Sequence, residues 1–292
     1  MRAVSKGCPL PSGLETVCTA RSLRCKRQDR YAARIGQSFH LSFIIYHSLF
    51  LFSFFLQRSG LITKWSCSAA VFFPIFAAYS KQMLPKEIQS AVEKGTMLPL
   101  MEEFYTIQGE GFHTGTAAYF IRIGGCDVGC HWCDVKESWN ADLHPPTAID
   151  QIVTHAKQYA DTVVVTGGEP LMWDMAPLTN ALKSKNLRVH IETSGAYPLT
   201  GSWDWICLSP KKNKLPTQLV YDNAHELKVI VYNKHDFIFA EEQAAKVNKN
   251  AILFLQPEWS KKEEMTPLIV DYVMNHPKWR VSLQTHKYLN IP

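Results

Sequence analysis

Between Ala118 and Gln284, seven short runs rich in β-branched residues alternate with stretches of helical period, and this alternation restricts the fold more than any other property of the chain. The runs are Ala118–Ile123, Thr162–Thr166, Arg188–Glu192, Trp205–Leu208, Glu226–Val231, Ala251–Leu255 and Arg280–Gln284. Between them, the spacing of apolar residues predicts helices over Thr147–Tyr159, Met175–Ser184, His235–Val247 and Lys262–His276. Strands joined by helical crossovers read as βα units around a parallel sheet. Some links, such as Glu192 to Trp205, are too short for a regular helix, and the 210 residues from Met83 onward are few for eight complete units. The expected fold class is therefore α/β, a partial, incomplete βα barrel.

In such an architecture the reactive groups gather where strands end. Five loops follow strands here: Gly124–Cys133, Thr166–Pro170, Glu192–Gly195, Ser209–Lys211 and Gln256–Pro257. The expectation is that all five face one cavity.

The first of them carries Cys126-Asp-Val-Gly-Cys130-His-Trp-Cys133, a C-x3-C-x2-C run. Three thiolates on one tight loop suit a four-iron cluster, one iron each, and leave the fourth iron open. Such an iron can chelate the amino and carboxylate groups of S-adenosylmethionine. Structural zinc completed by His131 or His144 is the rival reading, with ordinary buried thiols a third. Zinc sites favour two C-x2-C pairs, and Cys207, alone in an apolar strand, makes no second pair. Cys207 reads as core. The second loop carries Thr166-Gly167-Gly168-Glu169-Pro170. Its glycines let backbone approach a ligand closely, and Glu169 could pair with an ammonium group.

Residues 1–82 read differently. They hold 11 of the 31 Lys/Arg but only 2 of the 26 Asp/Glu, so the remaining 210 residues are mildly acidic and offer no basic patch for nucleic acid. Residues 38–56 form an uncharged, strongly apolar stretch behind six basic residues. This N-terminal extension has three readings: translated upstream sequence with a working start at Met83 or Met97, a membrane anchor, or a targeting peptide. The first is the expectation, with the extension disordered or loosely helical and dispensable, membrane attachment not expected, and 83–292 the catalytic domain. Four of the eight cysteines lie in the extension, and the crowding of three others argues for metal ligation in a reducing compartment, hence the cytoplasm.

Together, the cysteine triplet and the Gly-Gly-Glu-Pro run resemble the radical S-adenosylmethionine superfamily. The flanks Glu103-Phe-Tyr-Thr-Ile-Gln-Gly-Glu-Gly111 and Arg122-Ile-Gly-Gly-Cys126, with the ending Gln284-Thr-His-Lys-Tyr-Leu-Asn-Ile-Pro292, narrow the resemblance to the 7-carboxy-7-deazaguanine synthase family, over residues 83–292. That resemblance implies a lyase that contracts the ring of 6-carboxy-5,6,7,8-tetrahydropterin to 7-carboxy-7-deazaguanine with release of ammonia, on the route to queuosine and related 7-deazapurines. It implies a 4Fe-4S cluster on Cys126, Cys130 and Cys133, S-adenosyl-L-methionine and Mg2+ as cofactors. It also implies a homodimer, and a low-potential electron donor such as flavodoxin or ferredoxin.

Carried over position by position, Ile107, Gln108, Gly109, Glu110, Arg122, Thr166 and the terminal carboxylate of Pro292 match substrate contacts. Trp132, Cys133, Asp134, Gly168, Ser209, Pro210, Lys211 and Gln256 match S-adenosylmethionine contacts, and Glu169 joins them. Gln108 and Glu110 suit a polar pterin, and the planar guanidinium of Arg122 suits its carboxylate. One position departs. The family has threonine, a magnesium ligand, where this chain has Val135, whose side chain has no oxygen for a hard cation. Ser138, water or substrate oxygens would have to serve instead. Two rivals remain: a radical activase acting on a partner's glycine, which would not need the Gln-Gly-Glu-Gly run or the C-terminal motif, and a non-enzymatic membrane-tethered metal-binding protein, which leaves the Gly-Gly-Glu-Pro run unexplained.

Overall fold

The computed structural model of the chain describes residues 86–292, so the expectations for the extension, its apolar stretch 38–56 included, lie outside the described residues. All seven expected strands form: β2 (Ala117–Ile123), β4 (Thr162–Gly167), β5 (Arg188–Thr193), β6 (Trp205–Leu208), β7 (Glu226–Val231), β8 (Ile252–Pro257) and β9 (Trp279–Val281). Two more join them, β1 (Met97–Ile107) and β3 (Pro146–Ala148). The sheet order is β3-β1-β2-β4-β5-β6-β7-β8-β9. From β2 onward the neighbours are parallel, and β1 runs antiparallel to both β2 and β3. With β3 and β9 at the two edges the sheet is open, the incomplete barrel that the sequence predicts.

Helices α1 (Lys86–Glu93), α2 (Ile149–Tyr159), α3 (Ala176–Ser184), α4 (Gln218–Asn223), α5 (Asp236–Ala244), α6 (Lys262–Asn275) and α7 (Thr285–Leu289) complete the described fold. The four predicted helices correspond to α2, α3, α5 and α6. The predicted strand over Arg280–Gln284 ends at Val281, and the residues after it turn into α7.

Strand alternation divides the sheet into two chemically different faces. Ile121, Ile123, Val163, Val165, Val189, Ile191, Leu227, Val229 and Val231 are buried in one core with Ile152, Leu178, Leu182 and Ile269 from the helices. Each such side chain contributes about 1.5–3 kcal/mol on burial. The intervening residues Phe120, Arg122, Thr166, Glu192, Lys228, Ile230 and Gln256 face the other way and line a cleft at the strand ends. A small separate cluster of Ala118, Phe120 and Val164, with Phe104 stacked on Phe120 at 5.6 Å, forms the apolar part of that second face.

Candidate active site

The cleft is built outward from the end of β2. Backbone hydrogen bonds pin the turn that follows: Gly124 N donates to Pro99 O (2.7 Å), Gly125 N to Ser138 O (2.6 Å) and Cys126 N to Trp139 O (3.1 Å). On the far side, Asn213 Nδ2 donates to Val128 O (3.2 Å) and Gly129 O (2.9 Å), and Lys214 pairs with Asp127 at 3.0 Å. The cysteine loop is thus clamped by the protein's own groups.

Cys126, Cys130 and Cys133 are free thiols, partly exposed, and all three line the cleft. Burial raises the pKa of Cys126 and Cys130, and the neighbouring triplet thiols push the same way. Thiols in that position need a cation to hold them as thiolates. Among the described residues, no three His, Cys, Asp or Glu side chains converge closely enough to hold one metal ion. Three thiols on one tight loop can each bind a different iron, so this donor set fits a four-iron cluster.

The Gly-Gly-Glu-Pro loop packs directly on the cysteine loop. Gly168 N donates to Ile123 O (2.8 Å) and Glu169 N to Gly125 O (2.9 Å). A Cβ at Gly168 would collide with the Gly125 carbonyl oxygen, so only glycine lets the two strand-end loops lie this close. Glu169 lines the cleft but is 1% exposed, and both carboxylate oxygens are engaged by the protein. Oε1 accepts from Leu171 N (3.0 Å) and the Thr193 hydroxyl (2.6 Å). Oε2 accepts from Ser194 N (2.7 Å) and the Ser194 hydroxyl. The expected direct pairing of Glu169 with an ammonium group therefore meets a carboxylate whose acceptor positions are already filled. It ties the end of β4 to the end of β5.

The opposite wall joins motifs that lie at the two ends of the described chain. Thr285 N and its hydroxyl both donate to Gly109 O (2.9 and 3.0 Å), and His286 fills the space that a Cβ at Gly109 would need. Gln284 Nε2 donates to Glu110 Oε1 (2.9 Å), and Lys287 pairs with Asp134 at 2.8 Å. Helix α7 thus fastens the Gln-Gly-Glu-Gly loop to the residue after Cys133.

At the centre of this wall Lys228 Nζ contacts Glu110 Oε2 and lies 3.7 Å from Glu192 Oε2. Gln108 closes a ring, its Nε2 donating to Glu192 Oε1 (2.8 Å) while its Oε1 accepts from Glu110 N (3.0 Å). Burial alone would raise the Glu110 pKa, but the Lys228 ammonium and hydrogen bonds from Gln256 and Gln284 bring it down to about 2. Burial likewise opposes the Lys228 charge, yet Cys207, Glu110, Glu192 and Glu226 around it push its pKa well above the usual lysine value.

Every residue expected in the site lines this cleft except Pro210, which is buried. Arg122 lines it with its guanidinium held by Glu102 at 2.6 Å and lying 5.0 Å from the Phe104 ring centre. Lys211 donates to Ser209 and lies 5.6 Å from the Trp132 ring. Cys207 is buried, as expected for a core thiol. Sequence reasoning missed Lys228, Trp259 and His286, which also line the cleft. For Lys228 a signal existed, since a lysine inside the apolar strand Glu-Leu-Lys-Val-Ile-Val needs a partner.

Comparison with known proteins agrees with this geometry. The sequence profile of the Radical SAM superfamily matches residues 120–206. A 7-carboxy-7-deazaguanine synthase of Flavobacterium psychrophilum is 83% identical over 210 residues, which span 72% of this chain and all of that protein. The 7-carboxy-7-deazaguanine synthase of Synechocystis is 50% identical over 194 residues, 66% of this chain and 93% of its own length. Among solved structures, the crystal structure of QueE from Escherichia coli superposes with a TM-score of 0.60 at 30% identity, covering 67% of this chain and 97% of that one.

Proposed function

The chain belongs to the 7-carboxy-7-deazaguanine synthase family of radical S-adenosylmethionine enzymes, and on that premise we propose that the cleft at its strand ends is where it works. The protein is a lyase that converts 6-carboxy-5,6,7,8-tetrahydropterin to 7-carboxy-7-deazaguanine and ammonia, a step toward queuosine. One observation carries the placement: the cysteine triplet, the Gly-Gly-Glu-Pro loop, the Gln-Gly-Glu-Gly loop and helix α7 all meet around a single cleft.

A four-iron cluster with S-adenosylmethionine supplies the radical that starts the ring contraction. Cys126, Cys130 and Cys133 hold that cluster. Gly168, Ser209, Lys211, Gln256, Trp132 and Asp134 surround S-adenosylmethionine, and Glu169 serves them by fixing the loop that carries Gly168. Ile107, Gln108, Gly109, Glu110, Arg122, Thr166 and Pro292 form the substrate side. Glu110, ionised beside Lys228, accepts hydrogen bonds from the pterin ring, and Arg122 takes its carboxylate by exchanging the Glu102 pairing. His286 of helix α7 lines the same cleft beside Gly109.

Magnesium belongs to the family's cofactor set, but side chains alone do not make a site for it here. Val135 offers no oxygen, Ser138 is buried and does not line the cleft, and Asp134 is paired with Lys287. Water and substrate oxygens would have to hold such an ion.

Residues 83–292 form the catalytic unit, a division supported by the Flavobacterium relative, whose whole length is matched by 210 residues of this chain. No helix among the described residues is long and apolar enough to cross a membrane. A cytoplasmic homodimer served by a low-potential flavodoxin or ferredoxin is the setting this reading implies.

Anaerobic reconstitution of the full chain with iron and sulfide, then incubation with the carboxypterin, S-adenosylmethionine and reductant, tests the reading by mass analysis. The expected result is 7-carboxy-7-deazaguanine with S-adenosylmethionine unconsumed. Stoichiometric loss of S-adenosylmethionine with the pterin left intact would instead fit an activase of the same superfamily.

A further inference from the structure

Lys228 is assigned no part in the reading above beyond its effect on Glu110, yet it is the cation at the centre of the pterin side. Its side chain is 4% exposed, and it sits on β7 facing the cleft while its neighbours Leu227 and Val229 face the helices. A lysine so buried is costly unless its surroundings need it. The two carboxylates within 4 Å of its ammonium come from different elements: Glu110 from the loop after β1, and Glu192 from β5. The ring closed through Gln108 fixes their relative position.

We propose that Lys228 is a positioning residue, holding the Glu110 and Glu192 carboxylates side by side as paired acceptors for the N–H donors on the aminopyrimidinone edge of the pterin. The inference rests on the functional reading and extends the substrate side to Glu192, which keeps acceptor capacity on the cleft side beyond the single bond from Gln108. Lys228 is the cation within reach of both carboxylates, and without it the buried Glu110 carboxylate loses the charge that holds it ionised. A protonated carboxyl keeps one acceptor oxygen but turns the other into a donor facing an N–H, so the edge of the heterocycle is recognised less well.

The groups facing Lys228 are Glu110, Glu192, Cys207 on β6, Glu226 on its own strand and Lys211 after β6, with His286 of α7 facing Glu110 and Glu192. Burial raises the pKa of Glu226 and of Cys207, and burial lowers that of His286 and Lys211. Removing the ammonium takes away the charge that holds the buried Glu110 carboxylate ionised, so Glu110 takes up a proton as pH falls, and Glu226, already raised by burial, does so with it.

The test titrates the anaerobically reconstituted full chain, without reductant, with fluorescent 6-carboxypterin. Wild type is expected to bind with a dissociation constant that is flat between about pH 6 and 8. Lys228→Met should weaken binding about 30-fold at the acid end and only about fivefold at the alkaline end, the pH slope being what a purely structural lysine would not produce. Lys228→Arg, which keeps the charge, should stay within about threefold of wild type. Equal iron content per chain shows that a variant is folded and loaded. Should Lys228→Met fail to load, Glu192→Gln, expected to weaken binding about tenfold, decides instead.

Wild-type affinity in both Lys228→Met and Glu192→Gln, or weakening by Lys228→Met that is the same at every pH, would overturn the proposal. A wild-type chain that does not bind the carboxypterin at all would sink the functional reading and this proposal with it, whereas wild-type binding with unaffected variants sinks the proposal alone.

Discussion

Replacing Cys130 by alanine is expected to remove the visible colour of the anaerobically reconstituted protein and its product formation together, with turnover lower by at least about 10³-fold, or about 4 kcal/mol of barrier. The size follows from how the site is built. Cys130 closes a turn onto Cys133, whose N–H donates to Cys130 O at 3.1 Å, and with Cys126 it completes the triplet of thiols on this loop. His131 is the adjacent metal-binding side chain, but its ring lies 5.0 Å edge-on to Tyr232, and no trio of His, Cys, Asp or Glu among the described residues converges on one ion. Without it the cluster keeps two of its three thiolates. The protein should stay folded, because Cys130 is only partly buried and belongs to no core cluster. A variant that keeps both colour and turnover would show that the triplet does not hold the cluster.

Glu169→Gln is expected to cost about 3 kcal/mol of stability, lowering the thermal midpoint by about 6–12 °C for a domain of this size. Each carboxylate oxygen of Glu169 accepts from a backbone N–H, Leu171 N on one side and Ser194 N on the other. An amide placed there must turn its NH2 toward one of them, so either orientation sets donor against donor and leaves one buried N–H unpaired. Glutamine is therefore no conservative replacement at this position, although it has nearly the shape of glutamate. The loop carrying Gly168 would loosen from β5, and S-adenosylmethionine binding should weaken with it. A midpoint within about 2 °C of wild type would show that the carboxylate does not clamp the two loops.

The parallel strands and the loops that end them were legible because both signals are local. Val163-Val164-Val165 and Leu227-Lys228-Val229 announce strands by residue type, and the motifs stand directly after them. The pairing of a strand with its partner is not local. β1 was missed because Pro99, Glu102 and Glu103 interrupt its alternation, and a register irregularity between Leu100 and Glu102 spoils the period. α7 was missed because its five residues are too few to show a helical repeat and are held by Gly109 rather than by their own propensity. Glu169 illustrates a third limit. The sequence places an acid at a ligand-binding loop, but its donors, Thr193 and Ser194, are 24 and 25 residues away, and nothing local reveals that they occupy it. The resemblance to a known family supplied the substrate side, including Glu110. The counter-ion of Glu110 came only with the fold, since Lys228 is 118 residues away.

The most direct measurement is electron paramagnetic resonance of the anaerobically reconstituted, chemically reduced chain before and after S-adenosylmethionine is added. A reduced four-iron signal that changes on addition of S-adenosylmethionine is the predicted result, because three cysteines leave one iron open to it. Protein that holds only zinc, or a cluster signal that S-adenosylmethionine leaves untouched, would contradict it.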